Sequence, residues 1–320
     1  MSEKYLITSS PHLNEGETVT KIMWKVFISL LPAAAIGIYI FGVAALLIVL
    51  IAVASAMLTE FIFLKARKME TWRVLDGSAA LTGLILALTL PPTLPLYAVA
   101  IGGVAAIGLG KQIFGGLGNN IFNPALVGRA ILSATYPVFM TSWSNPSYWK
   151  LLKKIDAVNV ATPLAAFKFE GQLADISNLF FGRVAGSIGE TSVLALLVGA
   201  VYLLYKKYIN WRVPVGFLGT VLIFSIPFYL INPTKYAPPV FMLLAGGLIL
   251  GAFYIATDPV TSPFTDKGNW IFGIGAGLLV IIIRYFGGLP EGVLYSILFM
   301  NAFTPIINRY TKPKVYGVDG

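Results

Sequence analysis

A single threonine hydroxyl stands out in the most polar stretch of an otherwise apolar sequence. The stretch KKIDAVNVATPLAAF covers residues 153–167, and Thr162 directly precedes a proline and a helix-forming run. A threonine before a helix with proline at the first helical position is a common helix start, in which the hydroxyl accepts a backbone N–H. The hydroxyl could instead carry a group. The sequence has no phosphate-binding P-loop and no GxGxxG fingerprint, so the residues alone favour the helix cap.

Two asparagines form a second polar group, in the stretch GGLGNNIFNPALVGR. Asn120 and Asn123 lie beside a proline at the start of an apolar helix, which is ordinary helix capping. Two amides at a helix N-terminus in lipid could also bind a polar ring with carbonyl and imide groups. The free backbone N–H groups there favour an electron-rich ligand. The residue types favour capping and leave the ligand interpretation open.

Charged residues also occur in or beside long apolar runs, at Asp76, Arg129, Asp258 and Glu291. Charges at membrane depth are costly and often mark ion pathways or relays. Asp76 and Glu291 could instead be ordinary helix starts at a membrane surface, where the helix dipole favours an acid. Arg129 lies deeper in its apolar run, so we expect it to need a partner.

The composition requires that these side chains be positioned by membrane helices. The chain has 320 residues, of which 57% are hydrophobic and 12% charged, with a mean hydropathy of +0.80. Several apolar runs approach the roughly 20 residues that cross a bilayer. Continuous rather than alternating apolar runs favour helices, so the predicted fold is an all-α polytopic membrane protein. The net charge of +9 is concentrated at span ends, and no motif indicates nucleic-acid binding.

The apolar runs predict ten transmembrane helices, several of them short or broken by Gly and Pro. Two tetrapeptides recur at a similar separation, GLIL at residues 83 and 247 and FGGL at residues 114 and 286. Five spans per repeat would invert the second copy, which predicts two inverted five-helix repeats. The predicted spans are 22–40, 43–64, 74–90, 94–110, 121–140, 191–205, 213–231, 240–256, 270–285 and 291–308.

The distribution of Lys and Arg predicts the orientation of these spans. Positive residues are concentrated in the two tails and in the even-numbered connections, including Lys111, which indicates that both termini are cytoplasmic. The N-terminal tail does not have the pattern of a signal peptide. The predicted organisation is a cytoplasmic tail (1–21), a five-helix half (22–140), an outer-face loop (141–190), a second half (191–308) and a cytoplasmic tail (309–320).

The ligand-forming residues limit the possible redox chemistry. The chain has no cysteine and one histidine, His12. Disulfides, iron–sulfur clusters, c-type haem attachment and a two-histidine haem site are therefore excluded within this chain, and we predict no metal site. A redox function would need an organic cofactor or metals held by partner chains.

Five ordered blocks resemble one family over nearly the whole chain. They are DGSAALTGLILALTLPPTLPLY, GKQIFGGLGNNIFNPALVGRAIL, DAVNVATPLA, ATDPVTSP and GGLPEGVLYSILFMNAFTPIIN. They resemble the D subunits of Rnf-type ferredoxin:NAD oxidoreductases, which are related to the B subunit of the sodium-translocating NADH:quinone oxidoreductase. The resemblance implies a flavin-carrying subunit of the bacterial inner membrane, not catalytic alone. Its complex would relay electrons between ferredoxin and NAD and transport Na⁺ or H⁺.

The resemblance also implies roles for individual residues. In this family an FMN is joined through its phosphate to a threonine in a pattern like D-G-x-S-x-A-T, which corresponds here to Asp156 through Thr162. The sequence departs from the pattern at Ala157 and Asn159. The GNNIFNPA block resembles the region that contacts a second, non-covalent flavin, riboflavin, which implies Asn120 and Asn123 as binding residues.

Further implied roles concern ions, charges and partners. Lys153, Lys154 and Lys168 lie near the flavin threonine in sequence and could balance the phosphoester charge. The implied partners are the other subunits of the complex, among them a second covalent-flavin subunit, together with a flavin transferase and membrane lipid. The candidates for ion transport or coupling are Asp76, Asp258 and Glu291.

Two other functions stay open at this point. The same inverted-repeat fold could form a flavin-free channel or solute transporter, by analogy of fold alone. A plain transporter has no evident need for DAVNVATPLA in an outer loop. The departures at Ala157 and Asn159 also allow a structural subunit that has lost its flavin.

Overall fold

The computed structural model describes residues 18–146 and 160–312, and every regular element within these ranges is helical. Four helices are long and apolar enough to cross a membrane: α1 (Val19–Phe41), α2 (Val43–Ala66), α10 (Arg212–Ile231) and α13 (Asp266–Phe286). Large apolar side chains on their outer faces are more than half exposed, for example Leu58, Ile223 and Ile282. Such faces are stable against lipid tails rather than water, so the chain is a multi-pass membrane protein.

Shorter helices fill the space between the long ones. The apolar helices α3 (Ser78–Leu88), α4 (Leu96–Ile107), α5 (Pro124–Thr135), α9 (Val193–Tyr205) and α14 (Val293–Thr311) belong to this group. A 3-10 turn (Thr71–Asp76) precedes α3, and a π-helical turn (Gly108–Gln112) continues α4. The remaining elements are α6 (Pro137–Met140), α7 (Pro163–Glu170), α8 (Ile176–Phe181), α11 (Pro239–Leu244), α12 (Leu248–Leu250) and a second π-helical turn (Gly251–Ile255).

Three predicted spans are not single helices. The span 121–140 is divided because α5 ends at Thr135, just before Pro137, which starts α6. The span 240–256 is interrupted at Gly246, whose φ of +74° is a left-handed conformation that favours glycine. The span 74–90 becomes a regular helix only at α3. The expectation that some spans are Gly/Pro-broken is confirmed, while the number of ten spans stays a prediction.

Helix packing depends on small residues at the contacts. Helix α10 packs along α13, α2 packs against α3 and α4, α4 against α5, α13 against α14, and α1 against α9. A Cβ added to Gly273 of α13 would lie 2.6 Å from the carbonyl oxygen of Val213, so only glycine permits this approach of α10. Close contact through small residues is the usual basis of helix association in membranes. Helix α14 also contacts α5, which brings the first half of the chain against the second.

Candidate functional site

The Thr162 hydroxyl is the N-cap of α7. Its Oγ1 accepts a hydrogen bond from the backbone N–H of Ala165 at 3.3 Å, and Pro163 occupies the first helical position. The helix-cap interpretation from the sequence is therefore confirmed. The threonine is half-buried, and it lines the wall of a large cavity.

This cavity has a volume of about 510 Å³, and we call it the outer cavity after the predicted outer-face loop that forms part of its wall. Residues 160–165 form one wall, α5 and α6 form a second, and residues 184–190 and 289–295 complete it. Its aromatic side chains are Trp143, Phe169 and Tyr295, and most of the remaining lining is aliphatic. A mainly apolar cavity of roughly 300–1,000 Å³ with a few polar groups is typical of a small-molecule site.

Three charged side chains meet in the lining of the outer cavity. Arg129 Nη1 lies 3.5 Å from Glu190 Oε1, and its Nη2 lies 3.1 Å from Glu291 Oε2. The backbone N–H of Gly247 donates to Glu291 Oε1 at 2.8 Å. We call Arg129, Glu190 and Glu291 the arginine cluster. The expectation that Arg129 has a partner is confirmed, and its partners are two acids. The carboxylate of Glu291 is engaged rather than merely positioned at a helix start.

The sequence did not single out Glu190. This residue pairs with Arg129 and lies in the segment just before α9. It stands in GSIGETSVLALL, a polar group before an apolar run that is typical of a helix start, and Ser192 is indeed the N-cap of α9. The useful signal was the arginine itself, because a buried guanidinium needs acceptors from elsewhere in the chain. The structure brings Glu190 close by pairing the backbone N–H of Gly189 with the Leu88 carbonyl at 2.7 Å.

Helix α7 is held in place by Lys168 at its other end. The Lys168 amine donates to carbonyls at the C-terminus of α13 and just beyond it, including Arg284 at 3.0 Å and Leu289 at 2.9 Å. Partial burial lowers the pKa of Lys168, whereas the negative end of the α13 dipole favours its charged form. Lys168 therefore fixes α7 against α13. Asp156, Lys153 and Lys154 lie outside the described residues.

A second cluster surrounds Asn123 at the start of α5. Asn123 Oδ1 accepts from the backbone N–H groups of Ala125 and Leu126 at 3.1 and 3.3 Å, which confirms the predicted cap. Its Nδ2 donates to Asp258 Oδ2 at 3.4 Å, and its backbone N–H donates to Asn301 Oδ1 at 3.1 Å. Two predicted site residues, Asn123 and Asp258, are therefore brought together across 135 positions, with Asn301 as a partner that the sequence did not reveal.

Asn120 behaves differently from Asn123. Its Nδ2 donates to the Phe122 carbonyl at 3.4 Å, while its buried Oδ1 has no hydrogen-bond partner among the described residues. It lines a small cavity of about 40 Å³ together with Asn123, Asp258 and Lys111. A buried amide oxygen in this position can accept a hydrogen bond from a ligand or a water molecule.

A third polar cluster borders the same small cavity, which Lys111 and Ser78 help to line. Lys111 Nζ contacts Glu60 Oε1 at 2.7 Å and Ser78 Oγ at 2.6 Å, and Ser78 Oγ in turn donates to Asp76 Oδ1 at 2.5 Å. The assignment of Lys111 to a connection between helices is wrong, because the residue lies in the π-helical turn and only 1% of its side chain is exposed. Lys111 follows Gly110 at the end of an apolar run, and this local sequence is typical of the start of a loop. Glu60 is a charged residue within the apolar run 43–64, and it was the sign in the sequence that Lys111 has a buried partner.

Comparison with known proteins assigns the chain to a family. The family described as NQR2, RnfD, RnfE matches residues 6–317. The chain belongs to this family. The resemblance inferred from the five sequence blocks is thereby confirmed.

Members of the NQR2, RnfD, RnfE family align over nearly their full length. The D subunit of the proton-translocating ferredoxin:NAD(+) oxidoreductase complex of Clostridium ljungdahlii is 47% identical over 323 residues, which cover 98% of this chain and 96% of that protein. The D subunit of the Na(+)-translocating ferredoxin:NAD(+) oxidoreductase complex of Acetobacterium woodii is 44% identical, with 98% and 95% covered. The D subunit of the ion-translocating oxidoreductase complex of Escherichia coli (strain K12) is 38% identical, with 98% of each chain covered.

Proposed function

We propose that this chain is the flavin-carrying D subunit of a membrane complex that transfers electrons between ferredoxin and NAD and transports Na⁺ or H⁺. Similarity over the full length to D subunits of complexes named for these activities supports the assignment. The observation that carries the flavin part is the position of Thr162, which lines a cavity large enough for a small molecule. The chain supplies the site and is not catalytic alone.

The residues of the outer cavity fit an FMN joined to Thr162 through its phosphate. The aliphatic and aromatic lining suits a flat ring, and Thr162 is half-buried in the cavity wall. When bound, the flavin supplies the electron-carrying chemistry. The chain's own residues orient the ring, keep water from it and surround it with fixed charges. After esterification the Thr162 oxygen still caps α7. The same oxygen then joins the phosphate to the start of that helix.

A second, non-covalent flavin is proposed at Asn120 and Asn123. Its support is the unpaired Oδ1 of Asn120 and the adjacent small cavity. That cavity of about 40 Å³ holds roughly one water. A riboflavin ring can therefore enter it only if the neighbouring side chains move. Otherwise the ring lies beside the cavity. The ion route is proposed through Asp76, Asp258 and Glu291, each of which lies in one of three separate polar clusters.

The proposed membrane arrangement is ten spans in two inverted repeats. The order of contacts supports the repeat, because α2, α4 and α5 pack in sequence in the first half as α10, α13 and α14 do in the second. A pattern Thr-x-Pro-x-Thr-x-Pro also occurs at residues 89–95 and again at 257–263. With both termini cytoplasmic in the bacterial inner membrane, Thr162 faces outward. The proposed partners are the other subunits, including a second covalent-flavin subunit, and a flavin transferase.

In-gel fluorescence tests the proposed function without any partner subunit. The chain is produced with a flavin transferase, separated on a denaturing gel, and compared with Thr162→Ala. We expect fluorescence at the wild-type band and none in the variant. A folded wild-type chain without fluorescence would instead support the flavin-free channel or transporter. Fluorescence that persists in Thr162→Ala would place the attachment at another residue.

A further inference from the structure

The arginine cluster has a feature that helix stability alone does not explain. Arg129 is buried, with 8% of the residue exposed, yet it lines the outer cavity. Among the described residues it is the one Lys or Arg in that lining. The guanidinium contributes a positive potential at the edge of this apolar cavity, which the carboxylates of Glu190 and Glu291 in the same lining oppose, so removal of Arg129 alone would leave the acids.

The guanidinium of Arg129 also has donor capacity in reserve. Its contacts with Glu190 and Glu291 use one N–H on each terminal nitrogen. Arginine has about five N–H donors in a planar fork. No other hydrogen-bond partner for this side chain exists within the described residues. Because Arg129 lines the cavity, its remaining N–H groups can donate to an acceptor placed there.

Two carboxylates fix the orientation of this fork. A Cβ placed on Gly247 would lie 2.7 Å from both Glu190 Oε1 and Glu291 Oε1, so the two acids face each other across a glycine. Glu291 is further held by the Gly247 N–H at 2.8 Å. The acids come from segments before α9 and α14, whereas Arg129 lies within α5. Three separate elements thus determine the direction in which the remaining N–H groups point.

From this geometry we infer that Arg129 raises the reduction potential of the flavin held on Thr162, with Glu190 and Glu291 as its positioning residues. The inference rests on the proposed function. Each electron that enters the ring adds one negative charge unless a proton follows. A fixed guanidinium stabilises that charge in a low-dielectric site and requires no reorganisation. The proposed complex, or dithionite in a titration, supplies the electron.

Redox titration of the Thr162-linked flavin tests the inference, with bound flavin followed by absorbance. The variant Arg129→Gln removes the positive charge at the cavity. Arg183→Gln is the control, because it removes an equal charge from an exposed position in the segment 141–190. We expect Arg129→Gln to disfavour one-electron reduction by about tenfold or more, which is about 59 mV to more negative potential. Arg183→Gln should leave the potential unchanged, because water screens an exposed charge. Equal potentials in these two variants would overturn the inference.

Two further variants serve if Arg129→Gln does not fold. Arg129→Lys keeps the charge but loses the planar fork, so we expect a smaller negative shift. Glu190→Gln removes a negative charge beside Arg129, so we expect the reduction potential of the flavin to become more positive. Unchanged potentials in both variants would also overturn the inference and leave the covalent-flavin function intact. Wild-type protein without covalent flavin would overturn the proposed function and the inference together.

Discussion

Lys111 and Glu60 form an ion pair in the interior of the molecule, although they are 51 positions apart in the chain. The Lys111 Nζ lies 2.7 Å from one oxygen of the Glu60 carboxylate and 2.8 Å from the other. Their side chains are 1% and 4% exposed. Lys111 belongs to the π-helical turn at the end of α4, and such turns often mark functional places in helices. The pair joins α2 to α4 and lies next to the cluster that contains Asp258.

Removing one member of this pair should destabilise the protein strongly. Glu60→Gln leaves the Lys111 charge buried without its carboxylate partner, and we expect a loss of about 3–5 kcal/mol in the free energy of unfolding. Combining Glu60→Leu with Lys111→Met should recover most of that loss, since no charge is then buried. Thermal unfolding in detergent, followed by tryptophan fluorescence, measures both.

The exposed pair between Arg73 and Glu70 is the matched control for this experiment. Its side chains are 50% and 62% exposed at a distance of 3.7 Å. Glu70→Gln should therefore cost less than about 1 kcal/mol. A similar loss in Glu60→Gln and Glu70→Gln would show that the interior pair contributes no more than a surface one.

The cap role and the attachment role of Thr162 can be separated. In the flavin-free chain, Thr162→Ala should cost about 0.5–2 kcal/mol because α7 loses its cap, whereas Thr162→Ser keeps a hydroxyl and should cost less. Thr265 is the N-cap of α13 and accepts from Gly268 at 3.0 Å, so Thr265→Ala is a cap loss at another helix. Thr265→Ala should lose stability but keep covalent flavin. Loss of flavin in Thr265→Ala would mean that instability, not the missing hydroxyl, removes it.

The two asparagines should respond differently to substitution by leucine. Asn123→Leu removes a cap and the contact with Asp258, so it should lower both stability and non-covalent flavin. Asn120→Leu removes an unpaired buried oxygen, so it should lower non-covalent flavin while the free energy of unfolding changes little. Chromatography of the flavin released on denaturation gives the non-covalent content. Riboflavin content equal to wild type in a folded Asn120→Leu protein would contradict a site at Asn120.

Gly247 should be intolerant of a methyl group. The alanine Cβ would lie 2.7 Å from an oxygen of each glutamate in the arginine cluster, so both carboxylates would have to move. We expect Gly247→Ala to lower the free energy of unfolding by about 1–3 kcal/mol. Gly219 in α10 has open space around its Cβ position, so Gly219→Ala should be neutral or stabilise by up to about 1 kcal/mol. Equal unfolding temperatures for the two variants would contradict this role of Gly247.

Features that depend on a few neighbouring residues were predictable from the sequence. Thr162 and Asn123 were recognised as helix caps because a cap bonds to N–H groups two or three positions away. The need of Arg129 for a partner was predictable from its depth in an apolar run. The identity of that partner was not, because Glu190 and Glu291 are 61 and 162 positions away from Arg129. Lys111 was misassigned since its neighbours in sequence look like a loop end, whereas its partner lies on another helix.

The sequence by itself determined the membrane class, the helical character, the family and the caps, because hydropathy, motifs and capping are local properties of the chain. Only the tertiary structure decided which polar groups meet. It divided them into the Lys111, Asn123 and Arg129 clusters, and it made Thr162 part of the wall of the outer cavity. The physical reason is that a buried charge must be paired within the membrane, and the partner is whichever side chain the packing of distant helices brings within reach.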